Sequence, residues 1–437
     1  MGIFNMSANE GGMLAKRRAI EALRNGVPNS DAVRQLGCKQ QAIEDRFRET
    51  LAGIGESAHE HGMLVSGDFG VGKSHLLAYL EHIALEQGFV CSRVAVSKET
   101  PLFDLNKILT AAVDGAKVPG RTGRLIEELE LAEKRKTETF GDFFGWVARS
   151  AYQGSLHGIF QASLVAYIES RDPELKSSIE AFWAGDRILA SRIKAGLREI
   201  GKREYTGFRT PRVAEIPPQR LRFLVEMIRG AGYAGWVVLL DEIELVASYA
   251  ILQRGRSYAE LARWLRIAEN PGLVTVATVT PDFATRVIST HGKQDCDNVP
   301  PRLRARPRFE AIADSAVEGM DQLTSQCMPL QTPNDGEVHT AIETLRKLYS
   351  EAYGWDAPDH QPMAGGVSAQ NRMRYKVRAA INEWDLKRLF PDSRPEIQSD
   401  EYQVSYEEQP DFDPEAQAGN WADDAPAVSK SPGASNG

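Results

Sequence analysis

The stretch "SGDFGVGKSHLL", residues 66–77, decides how the rest of the chain is read. From Gly67 to Ser74 it fits G-x-x-x-x-G-K-[ST], a loop whose backbone N–H groups wrap phosphate oxygens. Side chains must vanish where that backbone approaches its ligand, which accounts for Gly67 and Gly72. A helix beginning near Lys73 adds its positive end to the anion site. The predicted cradle comprises Gly67, Asp68, Phe69, Gly70, Val71, Gly72, Lys73, Ser74 and His75. Within it Lys73 would reach the β- and γ-phosphates of ATP, and the Ser74 hydroxyl would ligate Mg²⁺.

The flanks supply the context this motif requires. An apolar strand over 62–66 runs into the loop, and an amphipathic helix over 76–87 leaves it, with Leu76, Leu80, Ile83 and Ala84 on one face. A second strand follows over 89–96, giving a right-handed βαβ unit. Further along, "WVVLL" (236–240) and "LVTVATV" (273–279) are continuous apolar runs, as expected of parallel strands covered on both faces. Residues 308–312 read as a short fifth strand.

A nucleotide hydrolase needs a carboxylate at a strand end and a base for water. Asp241 and Glu242 follow "WVVLL" directly. Asp241 is the predicted Mg²⁺ ligand beside Ser74, and Glu242 the residue that polarises attacking water. Glu244 at this spacing reads as structural. After "LVTVATV" comes Thr280, the predicted catalytic polar residue of the neighbouring strand; Thr278 lies on the same face and competes with it. "PRLRARPR" (301–308) is the densest basic run. Arg302, with Arg304 as alternative, would act as an arginine finger on a neighbour's γ-phosphate, so a homo-oligomer is expected. A nucleic-acid contact and a solvated turn are the competing readings of that run. Arg254 and Arg256 are weaker finger candidates. Arg374 and Arg378 stand four apart on the last helix, as a lid arginine folding onto nucleotide would.

Length and charge set the frame. A chain of 437 residues exceeds one ordinary core. Expected boundaries are a disordered N-terminus at 1–15, an N-terminal helical segment at 16–58, a core at 59–315 with a helical insertion at about 102–232, a C-terminal helical lid at 316–391, and a disordered acidic tail at 392–437. The formal charge is −8, and in that tail eleven acidic residues stand against Arg394 and Lys430. The body is therefore near neutral, and any contact with DNA must come from a local patch. Four dispersed cysteines without a CxxC pair point to reduced thiols and a cytoplasmic protein. No apolar run approaches a membrane span or a signal peptide. His59 and His61 read as surface residues. In 211–220 the prolines mark a loop before a helix over 221–229. Thr332 reads as the cap of a helix with Pro333 in its first turn.

With these parts placed, the chain resembles the ATP-binding proteins of the BREX phage-defence system, of the BrxC/BrxD type. The strings that carry the resemblance are "KRRAIEALRNGVPNSDAVRQLG" (16–37), "GDFGVGKSHLL" (67–77), "AGYAGWVVLLDEIELV" (231–246), "TVTPDF" (278–283), "SEAYGWDA" (350–357) and "RMRYKVRAAINEWDL" (372–386). In length the chain is similar to the shorter, BrxD-like member. The resemblance implies an α/β, AAA+-like P-loop NTPase with a parallel sheet and helical lid. It implies a role in bacterial anti-phage defence beside a DNA methyltransferase and other defence-system proteins. The nucleotide roles carry over onto Lys73, Ser74, Asp241 and Glu242, and the family's arginine-leucine pair falls on Arg302-Leu303. The expected function is an ATP-hydrolysing switch or motor; a nucleotide-gated scaffold with little turnover is the alternative.

Overall fold

The computed structural model describes residues 3–26, 32–33, 36–54, 62–289, 292–360 and 373–391. The acidic tail, His59 and His61 lie outside the described residues.

Among the described residues six strands form one sheet: β1 (Met63–Ser66), β2 (Val90–Ala95), β3 (Ala116–Lys117), β4 (Trp236–Asp241), β5 (Leu273–Val279) and β6 (Cys327–Pro329), in the order β3-β2-β4-β5-β1-β6. Every pairing is parallel except β2 with β3. All six residues of β4 and all seven of β5 are buried. Alternation along them divides two cores. Val237, Leu239, Val274 and Val276 face the Lys73–Glu86 and Gln41–Ala52 helices through Leu76, Leu80, Ile43 and Phe47. Trp236, Val238, Leu240, Leu273 and Ala277 face a thick helical layer on the other side. That period-two division is why both runs read as uniformly apolar.

The helical layer is built from helices between Leu105–Asp114 and Ile216–Gly230. Phe160, Phe182, Trp183 and Phe223 pack at its centre, with ring centroids 5.0–5.5 Å apart. In a third core, Ala19 and Ile20 of the helix Ile3–Arg24 pack with Leu345, Tyr349, Ile381 and Trp384 of the helices Asp335–Tyr353 and Met373–Leu389. The first of these helices covers 3–15, which the sequence reads as disordered; its anchoring residues lie further along, at Ala19 and Ile20.

Several local readings differ from the structure. Residues Pro307–Glu310 form one helical turn rather than a strand, because Pro307 stands in the first turn with its φ already helical. The edge strand is instead β6, whose three residues pair with β1 and carry no pattern of their own. The helix Ala313–Ser325 packs on the core helix Ile251–Leu265, so 316–329 belongs structurally with the sheet. Pro217 and Pro218 sit inside the first turn of Ile216–Gly230, where a missing N–H costs nothing. Asn334 rather than Thr332 caps Asp335–Tyr353, with Glu337 completing the capping box.

Candidate functional site

β1 ends at Ser66, and the loop turns into the Lys73–Glu86 helix through Gly70 at φ 77° and Gly72 at φ 116°. A side chain at Gly72 would be strained at that backbone angle. At Gly67 a Cβ would stand 3.1 Å from Leu330, so the loop also needs glycine there for packing. Gly67 N–H donates to the Val279 carbonyl at 3.0 Å, tying the loop's start to the end of β5.

Strand order brings the remaining groups to this loop. β5 lies between β1 and β4, so its C-terminal end stands between the glycine loop and the carboxylates. Ser74 Oγ donates to Asp241 Oδ2 at 2.8 Å. Thr278 Oγ1 donates to Asp241 Oδ1 at 2.5 Å, and Glu242 N–H donates to the same oxygen at 3.1 Å. Three donors converge on one buried carboxylate and fix its orientation. Hydroxyl and carboxylate oxygens are the donor set a magnesium ion takes, and Ser74 and Asp241 fit it. Among the described residues no group of three or more His, Cys, Asp or Glu is placed to hold a metal ion.

Lys73 is 7% exposed. Its ammonium donates to the Gly67 carbonyl at 2.7 Å, lies 4.6 Å from the centre of the Phe69 ring, and stands 3.5 Å from Glu244 Oε1. Glu242 is open to solvent at the rim and holds a left-handed backbone, φ 63° and ψ 38°, uncommon outside glycine. Partial burial, then the Asp241 charge, push its carboxyl above the usual range, while Lys73 and Arg374 pull it back.

His75 points away from the loop's mouth: its Nε2 donates to the Gly37 carbonyl at 2.8 Å, and burial pushes its pKa down. The N-terminal segment thus grips the loop helix, aided by Tyr79 Oη donating to Glu44 at 3.0 Å. From the helix Met373–Leu389, Arg374 N–H donates to the Gly70 carbonyl at 3.2 Å. Thr280 is buried just past β5, two residues beyond the threonine that binds Asp241. Arg302 is exposed on the helix Asp295–Arg304 and makes no hydrogen bond or ion pair among the described residues. Arg304 pairs with Asp314 at 2.8 Å. Arg254 is buried in a two-pronged pair with Asp295, at 2.8 and 2.9 Å, so its side chain is not available to a neighbour. Arg256 lies over the Phe103 ring at 5.1 Å.

Sequence reasoning missed the contact of Glu244 with Lys73. Its one signal was an acidic residue inside the otherwise apolar "IELVA".

A glycine loop between a parallel strand and a helix, with a lysine, a hydroxyl and a strand-end carboxylate converging on it, is the arrangement of a P-loop-type nucleotide-binding protein. The chain belongs to the BREX system ATP-binding protein BrxC/D family, whose profile matches residues 14–114 and 218–362, more than half of its length. ATP binding and a part in the BREX defence system follow from that membership. The unmatched interval, 115–217, is most of the helical layer. No curated protein and no solved structure matches the chain. Among the described residues no helix is long and apolar enough to cross a membrane.

Proposed function

We propose that the chain is a Mg²⁺-dependent ATPase of the AAA+ type, acting as a switch or motor within BREX defence. The observation that carries this reading is the 2.8 Å bond from Ser74 to Asp241, with Glu242 next in sequence and open at the rim. It joins the phosphate loop to a strand-end carboxylate and sets a base beside them.

On this reading Gly67–Ser74 would wrap the phosphates and Lys73 would face the γ-phosphate. Ser74 and Asp241 would hold Mg²⁺, which neutralises charge on the phosphate oxygens when bound. Glu242 would take a proton from water as the water oxygen bonds to the γ-phosphorus and the bridging oxygen leaves with ADP. Thr280 would orient that water, and Thr278 would hold Asp241. Arg302, exposed and without a hydrogen-bond or ion-pair partner among the described residues, would stabilise the γ-phosphate of a neighbouring subunit. Arg374, bound through its backbone to Gly70, would report occupancy to the lid. Partners of this cycle would be further copies of the chain, other defence proteins and duplex DNA.

Steady-state hydrolysis against protein concentration, with and without duplex DNA, tests the proposal. The specific rate is expected to climb with concentration. Glu242→Gln should keep ATP binding and lower kcat by about 100-fold or more. Retained ATP binding without measurable turnover in the unsubstituted protein would replace this reading with the nucleotide-gated scaffold.

A further inference from the structure

Glu244 is the residue whose surroundings folding does not explain. It is 3% exposed, yet both carboxylate oxygens lack a hydrogen-bond donor among the described residues. A buried carboxylate kept for structure accepts hydrogen bonds, as Asp295 does here from Arg254 and Tyr258. The positive charge beside Glu244 is the Lys73 ammonium at 3.5 Å, itself almost fully buried. Burial pushes the Glu244 carboxyl above its ordinary range, Lys73 and then its own backbone N–H pull it back, and Asp241 and Glu242 add repulsion. Two charges removed from water persist because each compensates the other.

We infer that Glu244 is the resident counter-ion of the phosphate-loop lysine, a positioning residue that holds the Lys73 ammonium in place until nucleotide phosphates displace it as the ammonium's anion. This deepens the phosphate-loop reading and rests on it. Lys73 has three N–H donors, and the Gly67 carbonyl takes one at 2.7 Å. An incoming triphosphate competes with Glu244 for the same charge, so Glu244 holds nucleotide affinity below what the loop alone would give. Occupancy then leaves Glu244 buried without compensation, in the turn Ile243–Ser248. That turn reaches the finger-bearing region by two bonds. Lys293 Nζ donates to the Ala247 carbonyl at 3.0 Å. Arg254, paired with Asp295, donates to the Tyr249 carbonyl at 2.7 Å.

A double-mutant cycle over Lys73→Met and Glu244→Gln tests the inference, read by Mg·ATP affinity and by Tm of the nucleotide-free protein. Glu244→Gln keeps the side chain's shape and removes its charge. It should tighten Mg·ATP binding by about fivefold, the low end of ordinary coupling between sites. The same substitution in the Lys73→Met background should leave affinity unchanged. Lys73→Met alone should lower Tm by orphaning a buried carboxylate, and the double variant should recover much of that loss. A structural defect does not tighten binding, so weaker or unchanged affinity in Glu244→Gln overturns the inference. Additive Tm losses overturn it as well. Unsubstituted protein that binds no ATP sinks the phosphate-loop reading itself and this inference with it. That failure is recognised in the parent protein before any variant is compared.

Discussion

At the scale of single residues, the site turns on how many donors one carboxylate receives. Asp241 accepts from Ser74, Thr278 and the backbone of Glu242. A hydrogen bond to a charged group contributes about 1.5–3 kcal/mol, so Thr278→Val should destabilise the protein by that order. It should also raise the Mg²⁺ concentration needed for half-maximal ATP binding, because one of the groups orienting the carboxylate is gone. Thr280→Val should instead lower hydrolysis with the Mg²⁺ requirement unchanged. A Mg²⁺ titration of both variants separates the two threonines, and a shift confined to Thr280→Val would reverse their roles. The sequence put Thr280 forward with Thr278 as its competitor, because strand alternation puts both on the same face. Only the register of β5 beside β4 shows which one meets Asp241.

At the scale of elements, one cap makes the helical layer sensitive to pH. The helix Gly158–Glu169 is capped by His157, whose Nδ1 accepts from Ile159 N–H at 3.1 Å. That bond requires an unprotonated Nδ1. Burial pushes the His157 pKa down, Arg209 adds to this, and Glu215 opposes it. The folded protein therefore keeps the ring neutral where the unfolded chain, with an ordinary value of about 6.5, takes up a proton. Between the two values the unfolded state binds more protons, so stability falls as pH drops below about 6.5. Tm measured from pH 7.5 to 5.5 should decline, by the equivalent of about 1 kcal/mol for the lost cap. His157→Asn supplies a cap without the titration, and the decline attributable to this site should disappear. A slope unchanged in that variant would place the titration elsewhere. Nothing in "GSLHGIFQ" announces this role, since histidine is not a strong capping residue and its burial depends on the layer around it.

At the scale of the whole molecule, the first described helix packs on the helix Asp335–Tyr353, and the helix Met373–Leu389 reaches the glycine loop. Arg17 Nε donates to the Ala352 carbonyl at 2.7 Å, and Arg374 N–H reaches Gly70. On the core's other flank, the buried Arg254–Asp295 pair anchors the helix that presents Arg302 to solvent. If Arg302 serves a neighbour's site, Arg302→Ala should hydrolyse ATP poorly alone. Mixed with Glu242→Gln, which is equally poor alone, it should regain part of the rate, because each variant supplies what the other lacks. A mixture no faster than its components would assign the finger elsewhere, with Arg306 next on that surface.

The sequence by itself determined the glycine loop, the two buried strands, the Asp241-Glu242 pair at a strand end and the family, since each is written in contiguous residues. A glycine where backbone must approach a ligand, or an apolar run covered on both faces, is a local demand that a local pattern can meet. Tertiary structure alone decided that Thr278 binds Asp241, that Glu244 stands by Lys73, that Arg254 is buried in an ion pair, and that β6 closes the sheet edge. These contacts join residues far apart in the chain. They exist because β5 inserts between β1 and β4 and because cores on both faces fix the register. No short-range pattern encodes a neighbour that only strand order supplies.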